Sequence, residues 1–156
     1  VDEVVTVTNS EIADAVLLLL ERAKQLVEGA GAASVAAVRG GHLDVSGETV
    51  MPLLCGGNLD MTMLQAILVH TLTRRRQILQ VRVHIDDRPG KMAELSGVIS
   101  DHGANIRTVR HDRAVGDLDV GEAYLVFEVE TAGAEHAASI VDAIADHDYP
   151  VEVVNR

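Results

Sequence analysis

The sequence predicts an α+β protein with two parts, an α/β segment over residues 1–74 and a βαββαβ domain over residues 75–156. The first part carries long apolar stretches at helical spacing. From Leu79 to Ile85, apolar and polar residues alternate instead, which is the period of a strand with one buried face. The run Arg74-Arg75-Arg76 separates the two patterns and is interpreted as a solvated linker. The change of period therefore marks the boundary.

Composition and charge exclude several kinds of partner. The 156 residues are 47% hydrophobic and carry a net charge of −11, so no basic stripe is available for nucleic acid or an anionic membrane. The longest apolar run, Val16–Leu20, is far shorter than the roughly 20 residues of a membrane span. Cys55 is the only cysteine, which excludes an internal disulfide and favours a cytoplasmic location. The seven histidines lack the spacing of metal ligands, so no metal site is expected.

Two helices are predicted at the start of the chain. Thr8 and Glu11 have the spacing of a capping box, which predicts a helix from about Ser10 to Val27. Its apolar residues cover most of the circumference, so the helix is expected to be buried. The small residues from Gly29 to Ala37 then predict a turn and a tightly packed helix that ends at Gly40-Gly41.

A buried strand and a third helix are expected to flank a glycine pair. Residues Thr49–Leu54 have the apolar character of a strand covered by helices, although Pro52 weakens this prediction. Asn58 or Asp60 then caps a helix that runs to about Thr73. This order places the residues between strand and helix at the carboxyl end of the strand, where α/β folds receive cofactors and anions. From spacing alone, a tight connection without a ligand is the alternative interpretation.

The first part resembles the end of the catalytic domain in the threonine ammonia-lyase family, pyridoxal phosphate enzymes of fold type II. The matching stretches are residues 7–15, 27–32 and 52–60, the last of which contains Cys55-Gly56-Gly57-Asn58. The resemblance implies that Cys55 faces the pyridine nitrogen of the cofactor, that Gly56, Gly57 and Asn58 belong to the same cofactor-binding motif, and that Glu28 lies near the ring. A neutral thiol such as that of Cys55 at the ring nitrogen would leave the ring a milder electron sink than a carboxylate partner would.

The family's Schiff-base lysine motif is not present in this sequence. The only lysines are Lys24 and Lys91, and neither lies in that motif. We therefore assign no catalytic residue, expect no cofactor on this chain alone and predict no turnover from it. The chain also begins at Val1 rather than Met, as expected of a processed chain or a fragment.

The second part predicts the order βαββαβ. After the first strand, the turn at Pro89-Gly90 leads into a helix with Met92 on its apolar face, and Gly103 is its expected C-cap. Two strands, a helix and a short strand follow, over residues 106–113, 122–130, about 137–144 and 150–154. This order is that of the ferredoxin-like fold, one antiparallel sheet with two helices on one face.

Three motifs in this order closely resemble an ACT domain: Asp87-Arg88-Pro89-Gly90 with the helix start that follows, Gly103-Ala104-Asn105-Ile106, and His111-Asp112-Arg113. The last resembles the single ACT domain that follows the catalytic domain in one branch of threonine ammonia-lyases. The family binds amino-acid effectors where two copies meet, which implies a homo-oligomer. The two turns expose backbone groups that can hold an α-carboxylate and an α-ammonium group. The predicted effector-binding residues are Arg88, Pro89, Gly90, Gly103, Ala104, Asn105 and Ile106.

Three functional hypotheses result. The first is the regulatory C-terminal portion of a threonine ammonia-lyase, which converts L-threonine to 2-oxobutanoate and ammonia, with isoleucine or valine as the effector. The second is a self-contained amino-acid-sensing module that regulates or assembles with a partner enzyme. The third attaches the ACT domain to another amino-acid enzyme. Residues 1–70 fit the fold type II tail, and this fit disfavours the third hypothesis.

Overall fold

The computed structural model describes residues 1–154 and forms two compact units, Val1–Thr71 and a second that begins at Leu72. The helices are α1 Asn9–Leu18, α2 Gly29–Arg39, α3 Met61–Arg74, α4 Lys91–Asp101 and α5 Ala134–Asp146, and the strands are β1 Ile78–Asp86, β2 Asn105–Asp112, β3 Glu122–Glu130 and β4 Val151–Val153. A π-helical turn, Leu19–Ala23, extends α1.

The start of α1 is capped as the sequence predicts. The Thr8 hydroxyl accepts from the Glu11 N–H at 3.2 Å, and Glu11 Oε2 accepts from the Thr8 N–H at 2.7 Å. The predicted end at Val27 is wrong, since the π-helical turn closes at Lys24, whose φ of 56° is left-handed. The Lys24 ammonium then donates to the carbonyl of Glu21 at 2.8 Å, which satisfies a terminal carbonyl.

The predicted strand Thr49–Leu54 is also wrong. These residues are irregular and mostly exposed, and the first unit contains helices but no strand among its described residues. The Leu53 carbonyl accepts from the Ser34 hydroxyl at 3.1 Å, whereas a strand would require a neighbouring backbone as partner. The helix that follows is capped by Asp60, whose Oδ1 accepts from the Met63 N–H at 2.7 Å.

The first unit is held together by small apolar side chains. Its core lies where α1 packs on α2. Side chains from α3, among them Leu64 and Ile67, pack against this core. The buried core residues are Ala15, Val16, Leu19, Val27, Ala32 and Ala36.

The second unit confirms the βαββαβ order. Its sheet has the strand order β2-β3-β1-β4, and every neighbouring pair is antiparallel. Buried and half-buried residues alternate along β1 as the sequence predicts, and Val81 lies opposite Phe127 on β3. Both helices cover the same face, where Leu95 of α4 and Ile140 of α5 are fully buried.

Two details of the second unit differ from expectation. Met92, predicted on the apolar face of α4, is 36% exposed. The fourth strand begins at Val151 rather than Pro150, because proline has no N–H to donate, although its carbonyl accepts from the His84 N–H at 2.9 Å. Gly103 follows the end of α4 with a left-handed φ of 73°, where a helix-terminating glycine is favoured.

The sheet face that the helices leave open is charged. Arg82 pairs with Glu152 and stacks 4.4 Å from the centre of the Tyr124 ring. Arg107 lies 2.9 Å from Glu128. Cross-strand ion pairs thus cover this face.

Candidate effector site and cofactor-facing loop

The first predicted effector-binding turn joins β1 to α4. The Arg88 N–H donates to the Asp86 carbonyl at 2.8 Å, and the Gly90 carbonyl accepts from the Glu94 N–H at 2.9 Å in the first turn of α4. Gly90 has a φ of 95°, and a Cβ there would meet no atom within 4 Å. The glycine is therefore required by its left-handed backbone rather than by crowding, and the turn is open to a small ligand.

The second predicted turn joins α4 to β2. The Gly103 N–H donates to the Ser100 carbonyl at 2.9 Å. The Asn105 side-chain amide donates to Glu130 Oε2 at 3.2 Å. Ala104 and Ile106 are partly buried against the core of the sheet. Gly103 and Asn105 are thus the exposed members of this group.

The two turns lie at opposite ends of the sheet. Asp86, at the end of β1, pairs with Glu122 at the start of β3, whereas Asn105 pairs with Glu130 at the end of β3. The 11 residues of α4 separate the turns by about 16 Å. One chain does not bring its own two turns together.

A cluster of three side chains, here the Asp87 cluster, holds the start of the first turn. Arg113 Nε donates to Asp87 Oδ2 at 2.6 Å and Arg113 Nη2 to Oδ1 at 3.3 Å. His111 Nε2 lies 3.1 Å from Oδ1 but makes no hydrogen bond of good geometry, so Arg113 is the main partner. The hydrogen bond from Arg113 is also the main reason that the pKa of Asp87 is lowered.

The residues assigned to the cofactor also converge, within the first unit. Glu28 Oε2 accepts from the Asn58 N–H at 3.1 Å, and the Glu28 N–H donates to the Gly56 carbonyl at 3.2 Å. Gly56 has a φ of 83°, and a Cβ there would lie 2.2 Å from Glu28 Oε1. Gly57 is not crowded, since its Cβ would lie 3.8 Å from the Leu26 carbonyl oxygen. The exposed Cys55 thiol begins this loop.

Comparison with known proteins identifies the second unit. The family model described as ACT domain matches residues 79–147. Residues 79–147 form an ACT domain. The matched residues extend from β1 to the end of α5 and so include both turns. A solved ACT domain from GTP pyrophosphokinase of Chlorobium tepidum is 20% identical, with a TM-score of 0.40, over 49% of this chain and 96% of that chain.

Two relatives extend the similarity beyond the ACT domain. The L-threonine ammonia-lyase of Thermotoga maritima is 39% identical over 154 residues, which are 99% of this chain and 38% of the relative. The L-threonine ammonia-lyase of Geobacter sulfurreducens is 39% identical over 155 residues, with the same shares. The chain therefore spans about 38% of the length of these curated relatives and resembles their C-terminal regulatory region.

The ACT domain contains a second polar cluster that sequence reasoning missed. Lys91, directly after the turn at Gly90, donates to Tyr149 Oη at 2.5 Å and to Glu94 Oε2 at 3.2 Å. These bonds raise the pKa of Lys91, with Tyr149 as the larger cause. Tyr149 lies in the connection between α5 and β4, so its contact with Lys91 links the start of α4 to that connection.

The Asp87–Arg113 pair was missed for a simple reason. The two residues belong to motifs that the sequence singles out, but they are 26 positions apart. Only the antiparallel pairing of β1 and β2 with β3 brings the end of β2 to the same end of the sheet as the end of β1. The opposite charges of Asp87 and Arg113 were the signal available in the sequence. The predicted strand order could have indicated that the two residues lie close together.

Within residues 1–154, no group of three or more histidine, cysteine, aspartate or glutamate side chains is arranged to hold a metal ion. No helix in that same range is long and apolar enough to cross a membrane.

Proposed function

We propose that this chain is the C-terminal regulatory portion of a threonine ammonia-lyase, whose ACT domain binds an amino-acid effector such as isoleucine or valine. One observation carries the proposal: the 39% identity to two proteins of that name extends over 99% of the chain. It therefore includes the cofactor-facing loop of the first unit as well as the ACT domain. A cytoplasmic location, favoured by the single cysteine, belongs to the same proposal.

The complete enzyme would convert L-threonine to 2-oxobutanoate and ammonia with pyridoxal phosphate. The cofactor, when bound, supplies the electron sink for the elimination. The residues present fit one side of such a site, because Gly56 allows the Glu28 carboxylate to approach a backbone that a Cβ would block. Glu28 holds the Cys55–Asn58 loop through the Asn58 N–H, and in this proposal the exposed Cys55 thiol would face the ring nitrogen.

The effector site in this proposal forms between two copies of the ACT domain. β2 is an edge strand, and its Val109 is 40% exposed, so it offers unpaired backbone groups and apolar surface to a second copy. A two-fold axis beside β2 would place antiparallel strands together. Residues 88–90 of one copy would then lie near residues 103–105 of the other, because the turns occupy opposite ends of α4. This geometry is why we expect a homo-oligomer.

Calorimetric titration tests the proposal, with the mass in solution followed by light scattering. We expect saturable binding of isoleucine or valine and at least a dimer. Asn105→Ala, in the second turn, should weaken binding, whereas Asn9→Ala, on an exposed asparagine of the first unit, should leave it unchanged. A folded chain that binds neither amino acid would contradict the effector assignment, and a monomer that binds would contradict the shared site.

A self-contained sensing module is the second candidate. The ACT domain has its own core of strands and helices, which is what such a module requires. Mixing the chain with a separately expressed catalytic portion of a threonine ammonia-lyase distinguishes the two candidates. Restored turnover of threonine would support the first. A chain that never restores turnover, yet senses the amino acid alone, would favour the second.

A further inference from the structure

We propose that the β2–β3 loop, residues 113–121, holds the β1–α4 turn in the conformation that receives the effector. Arg113 is then a positioning residue, which acts on the site through Asp87 without touching the ligand. The inference rests on the proposed effector site, and it adds a means by which the shape of that site is set.

Both ends of the loop meet the same residue. At one end, the Arg113 guanidinium makes its two hydrogen bonds with the Asp87 carboxylate, at 2.6 and 3.3 Å. At the other end, the Gly121 carbonyl accepts from the Asp87 N–H at 2.8 Å. Near the end of β2, His111 Nε2 lies 3.1 Å from Asp87 Oδ1. Moving either end of the loop therefore changes a contact of Asp87.

The β1–α4 turn is held at its two ends, by Asp87 and by Lys91. Its own backbone bonds are local, from the Arg88 N–H to Asp86 at 2.8 Å and from the Lys91 N–H to Arg88 at 3.4 Å. Lys91 is fixed through Tyr149, which leaves Asp87 as the anchor on the side of the sheet. A shift at Asp87 is thus passed to the residues that are proposed to bind the effector.

Polar contacts help to hold the middle of the loop, in which Val115 and Leu118 are half-buried. Asp117 Oδ2 accepts from the Tyr124 hydroxyl at 3.1 Å, and this bond is the main cause of the raised pKa of Tyr124. The Asp119 N–H donates to Glu122 Oε2 at 3.0 Å, while Val120 is fully exposed. Surface contacts of this kind are individually weak, so a held and a released loop differ by a modest free energy. Such a loop can respond to an effector.

Amide hydrogen exchange by NMR tests the contact without an effector. Arg113→Ala should accelerate exchange of the amides in residues 87–91 about threefold to fivefold, as expected for an exposed ion pair. Arg113→Lys keeps a cation but loses the paired hydrogen bonds, and should restore part of the protection. Arg110→Ala is the matched control, since Arg110 has the same 60% side-chain exposure and pairs with Asp112 instead. It should leave residues 87–91 unchanged.

Titration of the same variants with isoleucine and valine completes the test. Weaker binding by Arg113→Ala, partial rescue by Arg113→Lys and unchanged binding by Arg110→Ala support the proposal. Unchanged exchange in Arg113→Ala overturns it, whatever the titration shows. Altered exchange with wild-type affinity overturns the link to the site. Altered exchange in a protein whose wild type binds neither amino acid supports the loop contact and contradicts the proposed function.

Discussion

Replacement of Gly31 by alanine tests how closely α2 approaches the loop that begins at Cys55. A Cβ at Gly31 would lie 2.1 Å from the Cys55 carbonyl oxygen and 2.6 Å from Val27 Cγ1. The first distance is about 1.3 Å short of the 3.4 Å at which ordinary contact begins, and the blocking atom is backbone. The loop that carries Cys55 must therefore move.

The magnitude follows from two opposing effects. Alanine gains about 1 kcal/mol over glycine inside a helix, whereas overpacking a buried position costs about 1–3 kcal/mol. The difference is a net loss of about 0–2 kcal/mol in the free energy of unfolding of the first unit, and because the contacted backbone group cannot rotate away we expect the upper half of that range, about 1–2 kcal/mol. Gly97→Ala is the control: no atom lies within 4 Å of a Cβ at this α4 position, so it should stabilise the ACT domain by up to about 1 kcal/mol.

Urea denaturation and thiol labelling measure the two consequences separately. Cys55 is the only cysteine and is exposed, so its labelling rate reports directly on the loop. We expect Gly31→Ala to change that rate and Gly97→Ala to leave it unchanged. An unchanged labelling rate together with higher stability in Gly31→Ala would refute the close approach.

Three further changes probe the core of the ACT domain, the β1–α4 turn and the capping box of α1. Phe127→Ala, at a fully buried position of β3, should lower the free energy of unfolding by about 3–5 kcal/mol in urea titrations, and Phe127→Leu by less than about 1.5 kcal/mol. Gly90→Ala should cost about 1–2 kcal/mol in the same assay because a non-glycine residue is strained at a φ of 95°; an unchanged midpoint would argue against that backbone geometry. The pKa of Glu11 is lowered from 4.5 to about 2, chiefly by the backbone hydrogen bond of Thr8, so the stability it adds is present above about pH 4.5 and is lost as the pH falls towards 2. Thermal unfolding of Glu11→Gln should lack this dependence, and an identical pH profile in both proteins would contradict it.

Much of the ACT domain could be predicted from local sequence. The alternation along β1 and the glycine that ends α4 require no distant partner, and both are found where the pattern places them. The capping box at Thr8 and Glu11 is likewise a contact between residues three apart. Such features are determined by neighbouring residues, so composition and spacing are sufficient to locate them.

The failures and omissions depend on distant partners. An apolar run such as Thr49–Leu54 becomes a strand only if another backbone pairs with it, and the described part of the first unit supplies none. The contact between Asp87 and Arg113 forms because two antiparallel pairings share β3. The sequence by itself therefore determined the order of elements and the residues of the turns. Only the tertiary structure decided that the two turns lie at opposite ends of the sheet and that the β2–β3 loop contacts Asp87, because both depend on strand pairing between residues distant in the chain.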